Sequence, residues 1–161
     1  EWGASWGDLI ANTSGTMVFI GQELLWKEQR IQMKYSFKPS TYADHRPDLL
    51  GSNFLQQTIK DYNGQVYWLS FNINAFKNTS LPDWLNVAIG YGADGMYNGN
   101  PHESGTQREF YASLDINLRK IKTNKKFLDK ALKIFSFIKV PMPALKLSQN
   151  KLNFYPLHYG Q

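Results

Sequence analysis

The residue types able to carry chemistry are scattered along this sequence rather than gathered. His45, His102 and His158 lie far apart, and none stands in a short ligand spacing such as H-E-x-x-H; His102-Glu103 is only a fragment of one. Asp8, Glu23, Glu28, Asp61, Glu109 and Asp115 are candidate acid–base groups, but glycosidase-like chemistry needs two carboxylates at a defined separation in a cleft. Glu109, Asp115 and Arg119 fall on one face of a strand-like stretch, where they read as a polar network on a solvated or lumen face. The serines Ser5, Ser14, Ser36, Ser70, Ser80 and Ser113 include no G-x-S-x-G elbow. Gly90-Tyr91-Gly92-Ala93-Asp94-Gly95 has the spacing of a dinucleotide fingerprint, yet the turn-rich Met96 to Pro101 supplies no helix N-terminus for a pyrophosphate. Inward glycines on a strand, closely approached by another group, explain it better. Asn12 and Asn78 each open an Asn-Thr-Ser triplet, a pattern often met by chance. The residues therefore point to no cofactor, no metal and no catalytic constellation.

The elements that would position these groups are a helix, a β meander and a second helix. From about Ser5 to Trp26 the apolar residues Leu9, Ile10, Met17, Ile20, Leu24 and Leu25 recur with a helical period, and Asp8, Asn12 and Gly15 share a face at spacings of four and three. Two glycines and several β-branched residues weaken this helix, so it needs a partner surface. At Ile31 the period becomes two: Ile31, Met33, Tyr35 and Phe37 oppose Gln32, Lys34, Ser36 and Lys38, until Pro39. A polar loop from Thr41 to Gly51 and a short helix from Asn53 to Asp61 precede the Asn63-Gly64 turn.

Three strands follow, Gln65 to Phe76, Trp84 to Ala93 and Arg108 to Arg119, each with one apolar face and one small or polar face. Phe127, Leu128, Ala131, Leu132, Phe135 and Ile138 then return to helical spacing over 124–140, and short strands occupy 144–159. Strands apolar on one side and polar on the other fit an outer-membrane barrel, small or partial; they also fit a soluble α+β fold whose antiparallel sheet is covered by the two helices. Six strands are fewer than the eight of a closed membrane barrel, and some forty residues are helical, which favours the α+β sheet.

Composition narrows the function classes. The 161 residues suffice for one domain, and the absence of cysteine removes disulfides and thiol chemistry. The 15% aromatic content, with 5 Trp, 9 Tyr and 10 Phe, suits a membrane interface or a binding surface. The net charge of +5 is local: eight of the 18 basic residues lie between Arg119 and Lys139 against Asp129 alone, which argues against a general nucleic-acid surface. Lys125, Lys126, Lys130 and Lys133 form a basic helical surface that could meet an anionic membrane or a partner, or cover the domain's own sheet. No apolar run reaches the length of a spanning helix, and the chain is expected to be the C-terminal part of a longer precursor.

The segment Glu1-Trp2-Gly3-Ala4-Ser5-Trp6-Gly7-Asp8, with Ala11-Asn12 and Gly15, resembles the end of the helical core of a YfiM-like family of bacterial lipoproteins, distantly VanZ-like. Asp8, Asn12 and Gly15 are the matching positions; the Asp-Lys-x-x-His segment that precedes them in the family is absent here. Gly21 to Arg30, Arg46-Pro47, Leu50-Gly51 and Lys60 to Ser70 are similar to a longer, Bacteroidota-type version. What the resemblance implies is envelope localisation with outer-membrane association, and no reaction. The expectation is a non-enzymatic envelope protein acting as a structural or interaction subunit, partnered by the outer membrane or an envelope complex and in contact with lipid rather than nucleic acid. The alternative is a membrane-associated enzyme or binder for lipid or glycan, using Glu109, Asp115 and the loop from Asp94 to Gln107.

Overall fold

The period-two alternation builds six strands in the computed structural model of the chain: β1 (Ile31–Phe37), β2 (Gln65–Asn72), β3 (Leu85–Asp94), β4 (Gln107–Ile116), β5 (Met142–Ser148) and β6 (Lys151–His158). They form one meander sheet in sequence order, β1 to β6, not closed into a barrel. The fold is the expected α+β class. The structure describes residues 6–100 and 103–158, and leaves undescribed the side chains of Trp6, Gly7, Asp8 and Ala11.

The chain divides into two compact units, Glu1–Ile31 and Gln32–Gln161. The first is built on helix α1 (Trp6–Trp26), on which Leu9, Ile10, Met17, Phe19, Leu24 and Leu25 are exposed. Its C-terminal end is tied by the buried Gln22, whose amide accepts from the Ile31 backbone N–H at 2.6 Å and donates to the Ile31 carbonyl at 3.0 Å. Among the described residues, no helix is long and apolar enough to cross a membrane.

In the second unit the sheet is inverted relative to a soluble one. The register aligns Tyr67, Tyr91, Phe110, Leu147 and Leu152 in one row across β2 to β6, and Leu69, Ile89, Ala112, Leu145 and Phe154 in the next. Phe71, Val87 and Leu114 continue the set in a third row. All of these are exposed except Phe71, which is half-buried. The opposite face, with Ser70, Asn72, Asn86, Glu109, Ser113 and Asp115, is buried.

The inverted face is buried because the sheet curls over it. Four strand spacings of about 4.8 Å would hold β2 and β6 about 19 Å apart in a flat sheet. Instead His158 of β6 meets Trp68 of β2 with ring centroids at 5.7 Å. A bulge between Met142 and Ala144, where Pro143 and Pro156 interrupt the ladder, helps β6 bend inward. The β5–β6 hairpin closes through Gln149 and Asn150, both at positive φ, as a two-residue turn of this hand requires.

Short helices cap one end of the curl. The stretch expected to be a polar loop holds α2 (Thr41–His45) and α3 (Pro47–Leu50), the latter opening on proline, which presets its first turn. With α4 (Phe54–Lys60) they bury Ala43 and Leu50, and Asn63 locks the cap to the β3–β4 loop by bonding both the N–H and the carbonyl of Met96. At the other end two strands stop short of their expected ends. The Asn72 side chain caps α5 (Ile73–Phe76) through the Ala75 N–H, and Asn117 does the same for a 3-10 turn over Leu118–Lys120.

Helix α6 (Lys126–Ile134) ends in another 3-10 turn, Phe135–Phe137, and does not cover the sheet's apolar face as expected. It rests against the two turns that flank it, and Phe127 remains 85% exposed.

The glycine pattern also resolves. β3 runs through Gly90 and Gly92 into a turn at Gly95 (φ 84°), and Gly90 lies opposite Trp68, whose ring would sit 2.7 Å from an added Cβ. Because that neighbour is a wedged ring rather than a flexible chain end, Gly90→Ala is expected to cost about 1–3 kcal/mol in chemical denaturation. Gly105→Ala, with open space but positive φ, isolates the backbone contribution.

Candidate functional site

The curled face holds a column of charge. Its centre is Asp115 on β4, fully buried, whose Oδ2 accepts from Lys34 Nζ at 2.6 Å and from Ser70 Oγ at 2.6 Å. Lys139 approaches Oδ1 at 3.8 Å, too far for a hydrogen bond, so that oxygen has none. Two ammonium groups thus share one carboxylate, and both are anchored further by backbone: Lys34 to the Ile116 carbonyl at 2.7 Å, Lys139 to those of Leu114 (2.8 Å) and Val140 (3.0 Å). Lys139 also lies 4.9 Å from the centre of the Trp68 ring, a cation–π contact. Burial holds Lys139 down to about 8; Asp115 opposes that shift and Lys34 adds to it. Lys34 is lowered for the same first reason, against the pull of Asp115.

Lys139 Nζ lies 3.1 Å from Ser113 Oγ, the geometry of a base beside a nucleophile. The serine proton, however, is directed to the carbonyl oxygens of Leu114 (2.7 Å) and Pro143 (2.9 Å), and both side chains are buried. The arrangement neutralises and holds charge; it does not present a nucleophile. Ser70 is engaged similarly, donating to Asp115 and accepting from Asn86.

A second cluster lies toward the capped end. Lys146 of β5 pairs with the buried Glu109 of β4 at 2.7 Å, and the Tyr111 hydroxyl donates to the same carboxylate at 2.5 Å; burial first, and then this bond, raise the tyrosine pKa. His158 packs at a tilt against Tyr111, ring centroids 4.7 Å apart, and is pushed down to about 4 by burial, then by Lys139, Lys146 and Lys38. Beside this cluster a cavity of about 300 Å³ opens between Lys38, Tyr42, Asn63, Asp94 and Lys146.

Two of the three residues read as one polar face, Glu109 and Asp115, point into the curl, but six residues apart on β4 they serve separate clusters. Arg119 does not join them. The strand ends at Ile116, and Arg119 sits exposed in the following 3-10 turn. Lys125, Lys126, Lys130 and Lys133 are exposed as a basic surface, with Lys133 paired to Asp129 at 2.8 Å, whereas Lys139 turns inward. Asn12 is exposed on α1 and Gly15 half-buried; the side chain of Asp8 and the whole of His102 lie outside the described residues. His45 and His158 are at different sites, one in α2 and exposed, the other buried at the end of β6.

Lys34, Lys146 and His158 were not legible as site residues, although Lys34 belonged visibly to the polar set of β1. No family model matches this sequence, and no curated protein or solved structure is similar to it.

Proposed function

We propose that this is a non-enzymatic, outer-membrane-associated envelope protein that acts as a structural or interaction subunit, with the convex face of its sheet in lipid. The observation that carries the reading is the inversion of the sheet: ion pairs are enclosed, and three rows of Leu, Ile, Val, Phe and Tyr face outward. In water such a face exposes a large contiguous apolar surface; against hydrocarbon it is the favourable arrangement, and it is the arrangement of membrane β-barrel walls. From Leu85 to Tyr91 the outward set runs about 20 Å along the strand, most of the roughly 25 Å apolar band of such walls. The exposed lysines of α6 suit an anionic membrane surface, and the likeness of the N-terminal segment to YfiM-like lipoproteins points to the same compartment.

A subunit role follows from the sheet's edge. β6 is terminal in the strand order, and an unpaired backbone edge is not tolerated in hydrocarbon. Another strand must therefore pair with β6 in the membrane. Fractionation of cells making the full-length protein tests the reading: the protein is expected to stay with the outer membrane through high salt and carbonate and to leave only with detergent. Release by salt or carbonate overturns it.

One observation favours a second reading, a binder of a small polar molecule at the membrane. The cavity between Lys38, Tyr42, Asp94 and Lys146 lies at the lower end of the size range of ligand pockets.

A further inference from the structure

The convex face is not uniform. It carries a groove of about 540 Å³ lined by the outward side chains of Met33, Tyr67, Leu69, Ile89, Tyr91 and Phe110, with the intervening inward-facing positions Trp68, Gly90 and Tyr111 at its floor. Tyr67, Tyr91 and Phe110 belong to the row nearest the capped end, and Leu69 and Ile89 to the row below. One step beyond the aromatic row, at the polar rim, stands Arg108. Its guanidinium donates to the Tyr91 hydroxyl at 2.5 Å and lies 5.9 Å from that ring's centre, and it has no carboxylate partner among the described residues.

An apolar channel thus ends at a single positioned cation whose planar fork matches the oxygens of a phosphate. Amphipathic rings beside it are placed as they are at the headgroup level of a bilayer. We propose that this groove binds an anionic phospholipid, with an acyl chain along Leu69, Ile89 and Phe110 and the headgroup phosphate at Arg108. The inference rests on the reading that the convex face lies in lipid, and adds to it a preference for one headgroup charge. The α6 lysines attract anionic lipid without orienting it; Arg108 is coupled to a groove that takes the chain.

The test uses the full chain purified in a mild non-ionic detergent with equal amounts of phosphatidylglycerol and phosphatidylcholine, followed by native mass spectrometry. The expected result is retention of phosphatidylglycerol with about a tenfold preference, equivalent to one charge-assisted contact. Arg108→Gln is expected to abolish the preference while leaving lipid bound. Ile89→Trp, which fills the groove, is expected to lower retention of both lipids, and Lys126→Gln with Lys130→Gln to leave the preference intact. Equal retention of the two lipids by the unaltered protein, or a preference that survives Arg108→Gln, overturns the inference. A protein that stays with membranes through carbonate yet shows no preference refutes only this site, whereas release by carbonate refutes the lipid-facing reading itself.

Discussion

Replacing Asp115 by alanine is expected to destabilise the folded protein by about 3–5 kcal/mol, the cost of stranding buried charge. The carboxylate serves Lys34 and Lys139 together, and the side chains of both lysines are at most 1% exposed. Without it, two ammonium groups face each other inside the curl with only carbonyl and hydroxyl oxygens to hold them, and the Ser70 hydroxyl loses its acceptor. Denaturant titration of the purified protein in detergent gives the magnitude. The combined substitution Lys34→Met, Asp115→Leu and Lys139→Met is expected to be less harmful than Asp115→Ala alone, because removing all the charges leaves none unpaired. A small effect of Asp115→Ala would mean that water reaches the column.

The same cluster fixes a pH dependence. Lys139 has its folded pKa lowered to about 8 from 10.5, so between those values the unfolded chain binds more protons and stability rises with pH. The lowered Lys34 acts in the same direction. Below about pH 8 both states are protonated and the full penalty is present. Above about pH 10 the half-buried Tyr35 and the buried Tyr111, whose pKa values are raised, turn the trend over because the unfolded chain loses those protons first. From pH 8 to 10 the contribution of Lys139 is about 2 kcal/mol, and Lys139→Met is expected to remove that part of the slope.

The alternation that makes this fold was visible in the sequence; its sense was not. Met33, Tyr35 and Phe37 opposite Lys34 and Ser36 define two faces whichever one is buried, because period two carries no sign. The sign comes from curvature, which brings His158 across to Trp68 and encloses the polar face; Pro143 and Pro156 mark the bulge that helps it, but neither says which way the sheet bends. Lys139 illustrates the same difficulty at one residue. It ends a run of lysines at helical spacing, but the helix stops at Ile134, and the extended chain after Ile138 turns it toward Asp115. Glu109 and Asp115 were legible as a pair since they share a strand face, while Arg119 was lost because Asn117 ends the strand by capping the next turn. Gly90 was read correctly as a close approach, and the approaching group is Trp68.

Lysine in place of Leu145 decides what solvent the convex face meets. Leu145 sits on β5 in the middle row, flanked by Ala112 and Phe154, and is 42% exposed. On a hydrated surface such a substitution stays within about 0.5 kcal/mol of neutral and improves solubility. In the hydrocarbon of a bilayer it is expected to cost about 2–4 kcal/mol. Loss of the leucine's own packing complicates a single measurement, and Leu147 supplies the control. It lies one row toward the rim, beside Phe110, and is 45% exposed, so its side-chain losses match those of Leu145 while its depth differs. A lysine there can extend its ammonium to the headgroup level and is expected to cost about 0–1 kcal/mol. Measured in phospholipid vesicles by reversible denaturation, the expected result is a depth gradient, with Leu145→Lys more costly than Leu147→Lys by about 2 kcal/mol, converging when the same pair is compared in water-soluble conditions. Equal and small effects in vesicles would place the whole face in water and leave its three apolar rows to be covered by protein.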